Sequence, residues 1–184
     1  MLSTLVDAAR LGDEEAFGAL LRSVGDTCLA IAYRILRDTD LAEDAVQTAF
    51  ITAWRQLPAL RDSDRFEPWI HRTLVRACYA EARRSRRWST NVRYLEVGGA
   101  SAHDDVLTVN DRDELERGFR KLPPEQRAVL VFHDYLGLTV PEIADRLDIP
   151  LGTVKSRLHY ATAALRSALE ADARTPALSQ ERLA

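Results

Sequence analysis

The sequence predicts an all-α protein built from two small helical domains joined by a flexible linker. Apolar residues recur at helical intervals in nearly every patterned segment, and no run alternates in the manner of a half-buried strand. Between about residues 88 and 111 this pattern is lost, and a glycine pair stands at Gly98 and Gly99. We therefore divide the chain into an N-terminal domain (1–90), a linker (91–111), a C-terminal domain (112–171) and a short, frayed tail (172–184).

The N-terminal domain is predicted to begin with a long helical stretch and to continue with two capped helices. The opening stretch has inward residues at Leu5, Ala8, Ala9, Phe17, Leu20, Leu21 and Val24, then at Leu29, Ala32, Tyr33 and Leu36. Asp40 is the predicted N-cap of the next helix, with Glu43 completing a capping box, and Pro58 ends that helix after Leu57. Its predicted inward side chains are Val46, Ala49, Phe50, Ala53, Trp54 and Leu57.

Pro68, at a first-turn position, introduces the last N-terminal helix, which ends in a cluster of arginines. Its predicted inward residues are Trp69, Ile70, Thr73, Leu74, Ala77 and Cys78.

The C-terminal domain contains two helices joined by the tight turn DIP, at residues 148–150. Thr139 can cap the first helix, which runs to Leu147, and the second starts near Leu151. A buried stripe is predicted at Val154, Leu158, Ala161 and Leu165. The remaining side of the second helix carries donors for phosphates and base edges: Thr153, Lys155, Ser156, Arg157, His159 and Tyr160. This arrangement is typical of a DNA-binding helix-turn-helix, although an αα-hairpin with a solvated polar face has the same pattern.

Charge is unevenly distributed along a chain whose net charge is -3. Residues 61–90 hold 8 Arg against 4 acids, a net of +4, whereas residues 1–60 hold 5 Arg against 9 acids, a net of -4. The arginines Arg83, Arg84, Arg86 and Arg87, with Arg76 two turns earlier, form a basic surface beside Trp69, Tyr79 and Trp88. Cations next to aromatic rings suit phosphate tracking and the stacking of unpaired bases. A solvated helix end and, for Trp69, a core position remain the alternatives.

Signals for catalysis, metals or membranes are poor. Two His-Asp pairs, at His103 and His133, have no further ligands at recognised spacing, so we expect no enzyme, cofactor, metal or small-molecule substrate. Cys28 and Cys78 are expected to be buried free thiols. The amino terminus lacks the features of a signal peptide and no apolar run approaches the ~20 residues of a membrane span, which predicts a cytoplasmic, soluble protein.

Three segments together resemble the extracytoplasmic-function (ECF) class of the sigma-70 family of bacterial RNA polymerase sigma factors. DLAEDAVQTAFITAWRQL (40–57) resembles the helix that binds core polymerase, and RFEPWIHRTLVRACYAEARRSRR (65–87) resembles the segment that melts and reads the -10 promoter element. LPPEQRAVLVFHDYLGLTVPEIADRLDIPLGTVKSRLHYATAAL (122–165) resembles the domain that reads the -35 element. The resemblance covers most of the chain, with its parts in the family's order.

The resemblance implies an alternative sigma factor that binds core RNA polymerase and promoter DNA and is held by an anti-sigma factor. The implied face for the coiled coil of the largest polymerase subunit comprises Asp44, Gln47, Thr48 and Ile51, with Thr48 standing where an acid is common. The implied -10 residues are Trp69, Arg72, Arg76, Arg83, Arg84, Arg86 and Arg87. The implied -35 residues are the six polar residues of the last helix, where Lys155, Ser156 and Arg157 fit the family pattern and Tyr160 replaces a residue that is frequently basic.

Two other functions remain open on the residues alone. A helix-turn-helix regulator would bind DNA tightly without polymerase, and would leave the pattern from Asp44 to Trp54 without a role. A protein-interaction module would use the hairpin only as core. The small net charge favours the sigma factor. In that case polymerase supplies part of the free energy of DNA binding, and the two domains act as modules tethered to it.

Overall fold

The structure, a computed structural model, describes the backbone of residues 2–95 and 111–180 and the side chains of residues 2–87 and 116–167. Regular structure within these ranges is helical, without any strand. This agrees with the predicted fold class. None of the helices in these ranges combines the length and the apolar character needed to cross a membrane.

The N-terminal domain contains four helices: α1 (Leu2–Arg10), α2 (Glu14–Leu36), α3 (Thr39–Gln56) and α4 (Phe66–Leu95). Two 3-10 turns, Leu57–Ala59 and Ser63–Arg65, connect α3 to α4. Asp13 caps α2 by accepting a hydrogen bond from the amide of Ala16 at 3.0 Å. α4 continues to Leu95, so the helix extends beyond the point at which the apolar pattern is lost. Most of the predicted linker, residues 96–110, lies outside the described part of the chain.

The core face of α2 differs from the predicted one. Leu29 and Tyr33 are 38% and 41% exposed, whereas Cys28, Ile31 and Ile35 are fully buried. The helix presents the neighbouring stripe to the core, and the Arg37 guanidinium lies over the Tyr33 ring, 5.2 Å from its centroid. The inclusion of Leu29 and Tyr33 in the core was therefore wrong.

α3 approaches its neighbours through alanines. Ala42, Ala45, Ala49 and Ala53 are fully buried, spaced three and four residues apart on one face. The larger side chains Val46 and Phe50 lie at the edge of this contact, and Trp54, predicted to face inward, is 37% exposed. Small side chains let the helices pack closely, which moves the bulky ones outward. The cap is also two residues earlier than predicted, because Asp38 and not Asp40 accepts the hydrogen bond from the amide of Leu41, at 2.9 Å.

The C-terminal domain contains α5 (Asp111–Lys121), α6 (Pro124–Leu130), α7 (Val140–Leu147) and α8 (Leu151–Gln180), with a π-helical turn at Val131–Tyr135. Thr139 and Glu142 form the capping box of α7, as the sequence indicates. Ile143, Val154 and Ala161 are fully buried and hold the helix-turn-helix together. α8 continues through Gln180, so most of the tail expected to be frayed is helical.

The two domains pack against each other. α4 contacts α6 and α7, and α2 contacts α6. One cluster of buried side chains includes Ile70 and Leu74 of α4 together with Phe132 and Ile143 of the C-terminal domain. A shared core of this kind was not predicted from the sequence.

Candidate nucleic-acid and protein interfaces

The polar side of α8 lies opposite its buried stripe. Val154 and Ala161 are fully buried, and Leu158 and Leu165 are partly buried, as predicted. Of the six candidate -35 residues, four are exposed and two are half-buried: Lys155, Ser156, His159 and Tyr160 are exposed, and Thr153 and Arg157 are half-buried. The structure thus brings these six side chains together on the surface of one helix.

Arg157 is half-buried and lies near the N-terminal domain. The hydroxyl of Tyr79 on α4 is buried, and the guanidinium of Arg157 is close to it. Burial raises the pKa of Tyr79, and the nearby positive charge of Arg157 acts in the opposite direction. A residue predicted to read DNA therefore lies near the other domain.

The first part of α4 carries three candidate -10 residues. Trp69 is half-buried and packs against Phe66 with ring centroids 6.1 Å apart, so it contributes to the core as well as to the surface. Arg72 is half-buried and Arg76 is exposed. Both arginines form ion pairs with the carboxylate of Asp148, at 3.3 and 3.6 Å, across the seam between the domains.

The arginine cluster follows on the same helix, and all four of its side chains are exposed. Arg84 differs from the others in that it forms ion pairs with Glu81 at 2.7 Å and with Asp44 at 3.1 Å. Glu81 is only 5% exposed, so Arg84 supplies the countercharge for a buried carboxylate. Arg84 therefore has a structural role that the sequence did not indicate.

The four residues predicted to contact polymerase lie on one exposed face of α3. Asp44, Gln47, Thr48 and Ile51 are spaced by three and four residues, and all four are exposed. Beside them runs a groove of about 630 Å³ between α2 and α3. It is lined by Glu14, Phe17, Leu21, Gln47, Phe50, Ile51, Trp54 and Arg55.

The groove also involves Phe17, Leu21 and Trp54, which the sequence assigned to the core alone. Phe17 is buried as predicted, but it lines the groove as well. Ile51 and Trp54 are 47% and 37% exposed, and the rings of Phe17 and Trp54 lie 4.8 Å apart. Large apolar side chains gathered at a surface mark a protein-interaction site. The periodicity of α3 contained a signal for this groove, since its apolar stripe is wider than the alanine face that packs on the core.

The remaining candidates are the two His-Asp pairs and the two cysteines. His133 contacts Asp134 with 2.6 Å between Nδ1 and Oδ1 on the surface, while His103 lies outside the described residues. Within the described ranges, no group of three or more His, Cys, Asp and Glu side chains could hold a metal ion. Cys28 and Cys78 are buried and free, as predicted, and burial raises the pKa of each thiol to about 12.

Comparison with known proteins identifies the family. The family model for sigma-70 region 2 matches residues 20–88, and that for sigma-70 region 4 matches residues 112–165. The ECF RNA polymerase sigma factor SigL of Mycobacterium tuberculosis (strain ATCC 25618 / H37Rv) is 35% identical, over 86% of this chain and 94% of SigL. The chain belongs to the ECF sigma factors. Its predicted family is confirmed.

Other relatives agree with this assignment. The ECF sigma factor SigW of Bacillus subtilis (strain 168) is 26% identical over 92% of this chain and 97% of SigW. The structure of CnrH in complex with the cytosolic domain of CnrY is similar, with a TM-score of 0.64, 25% identity and coverage of 93% of this chain and 98% of CnrH. As an ECF sigma factor, the chain is an alternative sigma factor that directs promoter-specific initiation of transcription.

Proposed function

We propose that this ECF sigma factor binds core RNA polymerase through α3, reads the -35 element with α8 and opens the -10 element with α4. The observation that carries the proposal is that three different helices each expose a face with its own chemical character. An exposed polar and apolar face stands on α3, a polar face on α8, and an arginine-rich face on α4. Each surface falls within the sigma-70 region whose known role it would serve.

The polymerase contact is proposed to combine a polar rim with an apolar anchor. Asp44, Gln47 and Thr48 would meet the coiled coil of the largest subunit, and Ile51 would insert beside them. Trp54 lines the groove next to Ile51 and would be the apolar anchor. Aromatic residues that become buried at protein interfaces contribute much of the binding free energy.

At the -35 element, some side chains of α8 would contact phosphates and others would contact base edges. Lys155 is an exposed cation suited to phosphates, and the half-buried Arg157 is a second candidate for them. A bidentate contact to a base edge, from Arg157 for example, would contribute about 1–3 kcal/mol of sequence discrimination. Thr153, Ser156, His159 and Tyr160 are the other candidates for this contact.

At the -10 element, the exposed arginines of α4 would attract the DNA strands, and Trp69 would stack against an unpaired base. Taking a base out of the stack costs a few kcal/mol, which stacking on a ring and pairing with cations can offset. The proposal needs no catalytic residue, so we infer that the protein acts by binding rather than as an enzyme. It would act in the cytoplasm, where polymerase and promoters are found.

A regulatory protein partner of the anti-sigma class is also proposed. CnrH, which shares this fold, has been solved with the cytosolic domain of CnrY bound to it. The groove on α2 and α3 supports such a partner here, because it exposes apolar surface that a second protein can cover.

The test combines transcription with polymerase binding. Purified chain, core bacterial RNA polymerase and fragmented genomic DNA are incubated together, and transcripts that require both proteins are sequenced. We expect start sites that share -35 and -10 elements. Absence of such transcripts, together with specific retention of DNA by the chain alone, would instead identify a free-standing helix-turn-helix regulator.

The polymerase face is tested with matched double variants. Asp44→Ala with Gln47→Ala removes two contacts and should weaken association with core polymerase about tenfold. Asp26→Ala with Thr27→Ala likewise removes one carboxylate and one uncharged polar group, at exposed positions of α2, and serves as the control. Equal affinities for the two double variants, with unchanged helix content, would refute the assigned face.

A further inference from the structure

A single nitrogen of Arg84 on α4 lies between two carboxylates. Its Nη2 atom donates a hydrogen bond to Oδ2 of Asp44 at 3.1 Å and forms an ion pair with Oε2 of Glu81 at 2.7 Å. Asp44 belongs to the exposed face of α3 that is proposed to contact polymerase, whereas Glu81 is buried. Arg84 therefore joins a buried group of α4 to a candidate polymerase contact.

The buried end of this bridge fixes the position of the guanidinium group. Glu81 and Arg84 are three residues apart, so they lie on the same side of α4. A buried carboxylate needs a countercharge, and Arg84 supplies it. The guanidinium is thus held near Glu81 although 66% of the Arg84 side chain is exposed.

The exposed end of the bridge restrains Asp44. A surface carboxylate without a partner moves between several rotamers, and ordering it on association lowers the affinity of an interface. The hydrogen bond from Arg84 holds Oδ2 of Asp44, while 52% of the Asp44 side chain remains exposed. A binding partner therefore meets a carboxylate that is already oriented.

The charges of the three groups leave Asp44 able to attract a cation. Two carboxylates and one guanidinium have a net charge of -1, and the contact of Arg84 with Glu81 is shorter than its contact with Asp44. Arg84 therefore does not cancel the negative charge that α3 presents. Its own positive charge is already compensated by the two carboxylates, which makes Arg84 a poor ligand for DNA phosphates.

Arg83, the preceding residue of the arginine cluster, points in a different direction. Successive residues of an α-helix are turned by about 100°, so Arg83 and Arg84 cannot both face α3. Both side chains are exposed, and the sequence alone assigns them the same role. The structure distinguishes them, because the guanidinium of Arg84 reaches α3.

We infer that Arg84 is a positioning residue for core RNA polymerase, which orients the Asp44 carboxylate toward the coiled coil and does not contact the -10 strands. This inference rests on the proposed polymerase contact of α3. It moves one arginine of the cluster from DNA binding to protein binding. It also gives the buried Glu81 a part in the same interaction.

A charge-conserving double variant tests the link without leaving a buried charge unpaired. Glu81→Gln with Arg84→Gln removes the bridge, while the net charge of the group around Asp44 stays at -1. Association with core polymerase, measured without DNA, should weaken about threefold to fivefold because Asp44 is no longer held. Arg22→Gln with Asp26→Asn also removes one cation and one carboxylate, at exposed positions of α2, and should leave the affinity unchanged.

A double-mutant cycle shows whether Arg84 acts through Asp44. In an Asp44→Ala background, the Glu81→Gln and Arg84→Gln changes together should alter polymerase affinity by less than about 1.5-fold. Equal losses in both backgrounds would overturn the inference, because the effect would then not pass through Asp44. Unchanged or increased affinity in the wild-type background would also overturn it, since Arg84 would then be neutral or would compete with polymerase for Asp44. Urea unfolding gives the folded fraction to which each affinity refers.

The salt dependence of promoter binding by the holoenzyme is a second readout. Arg84 makes no phosphate contact under this inference, so the double variant should keep the salt dependence of the wild type. Arg83→Gln should lower it by the equivalent of about one phosphate contact. The same decrease in the double variant would identify Arg84 as a DNA ligand and overturn the inference.

Failure of this inference is distinguishable from failure of the proposed function. If Asp44→Ala alone leaves polymerase affinity unchanged, the assigned face of α3 is wrong and the inference fails with it. If Asp44→Ala weakens association while the double variant does not, the polymerase face stands and only the role of Arg84 is lost.

Discussion

At the scale of single residues, the buried side chain of His71 makes the stability of the fold depend on pH. Its side chain is 2% exposed, and burial followed by the charge of Arg146 lowers its pKa to about 4. Because Arg146 donates to Nδ1, the ring is neutral with its proton on Nε2. The unfolded chain takes up this proton below its ordinary pKa of 6.5, whereas the folded chain does not. The neutral His71 therefore makes its full contribution to the free energy of unfolding above about pH 6.5, and this contribution is lost as the pH falls toward 4. The loss is roughly 2 kcal/mol at pH 5.

Urea unfolding at pH 7.5 and pH 5.0 checks this, with His71→Gln as the variant that cannot titrate. The variant should lose about 2 kcal/mol less stability on acidification than the wild type. His159→Gln, at an exposed position of α8, should behave like the wild type. Parallel losses in all three proteins would contradict a buried, neutral His71. The sequence alone could not predict this burial, because Phe132 and Arg146, which contact the ring, come from the other domain.

At the scale of helices, the start of α3 decides between two neighbouring aspartates. Asp38 accepts a hydrogen bond from the amide of Leu41, while Asp40 lies within the first turn. Asp38→Ala should lower the free energy of unfolding by about 1 kcal/mol, since an amide then loses its partner. Asp40→Ala should cost less than half as much, because only an interaction with the helix dipole is lost. Denaturant unfolding of both variants measures the difference. Equal losses in the free energy of unfolding would mean that Asp38 is not the cap of α3.

These elements differ in how well the sequence predicts them, for physical reasons. The capping box of Thr139 and Glu142 was predicted because it is a local motif with few competing positions. Near α3, two aspartates stand two residues apart, and the choice depends on how the chain leaves Arg37, which adopts φ of 59°. The groove residue Trp54 was misassigned to the core because periodicity shows that a stripe is apolar but does not show how much of it the neighbouring helices cover.

At the scale of the whole molecule, the sequence predicted two helical domains in the correct order but not their contact. The side chains that join them, such as Ile70 and Phe132, belong to the same stripes that fill each domain. The apolar pattern of a helix does not specify which other helix packs against it. The roles of the candidate DNA residues and the domain boundaries stay predictions, and two of those residues, Arg72 and Arg76, pair with Asp148 of the other domain.

The charge distribution of the whole chain leads to the last prediction. The net charge of the chain is -3, but positive charge is concentrated on α4. We therefore expect the arginine cluster to contribute most to the step in which the DNA strands separate. Arg83→Gln with Arg87→Gln leaves Arg84 in place to neutralise Glu81. Open complexes with polymerase should fall about tenfold on duplex promoter DNA, and the salt dependence of binding should flatten by about two phosphate contacts.

A promoter with a pre-melted -10 region separates melting from attachment. If the cluster offsets the cost of strand separation, the double variant should regain most of its activity on this template. Arg22→Gln with Arg61→Gln, at exposed positions, removes the same charge and should behave like the wild type on both templates. A defect that persists on melted DNA would mean that the arginines only attach the chain to phosphates. No defect on either template would leave the cluster as a solvated stretch of α4, and would confine -10 recognition to the earlier turns around Trp69, Arg72 and Arg76.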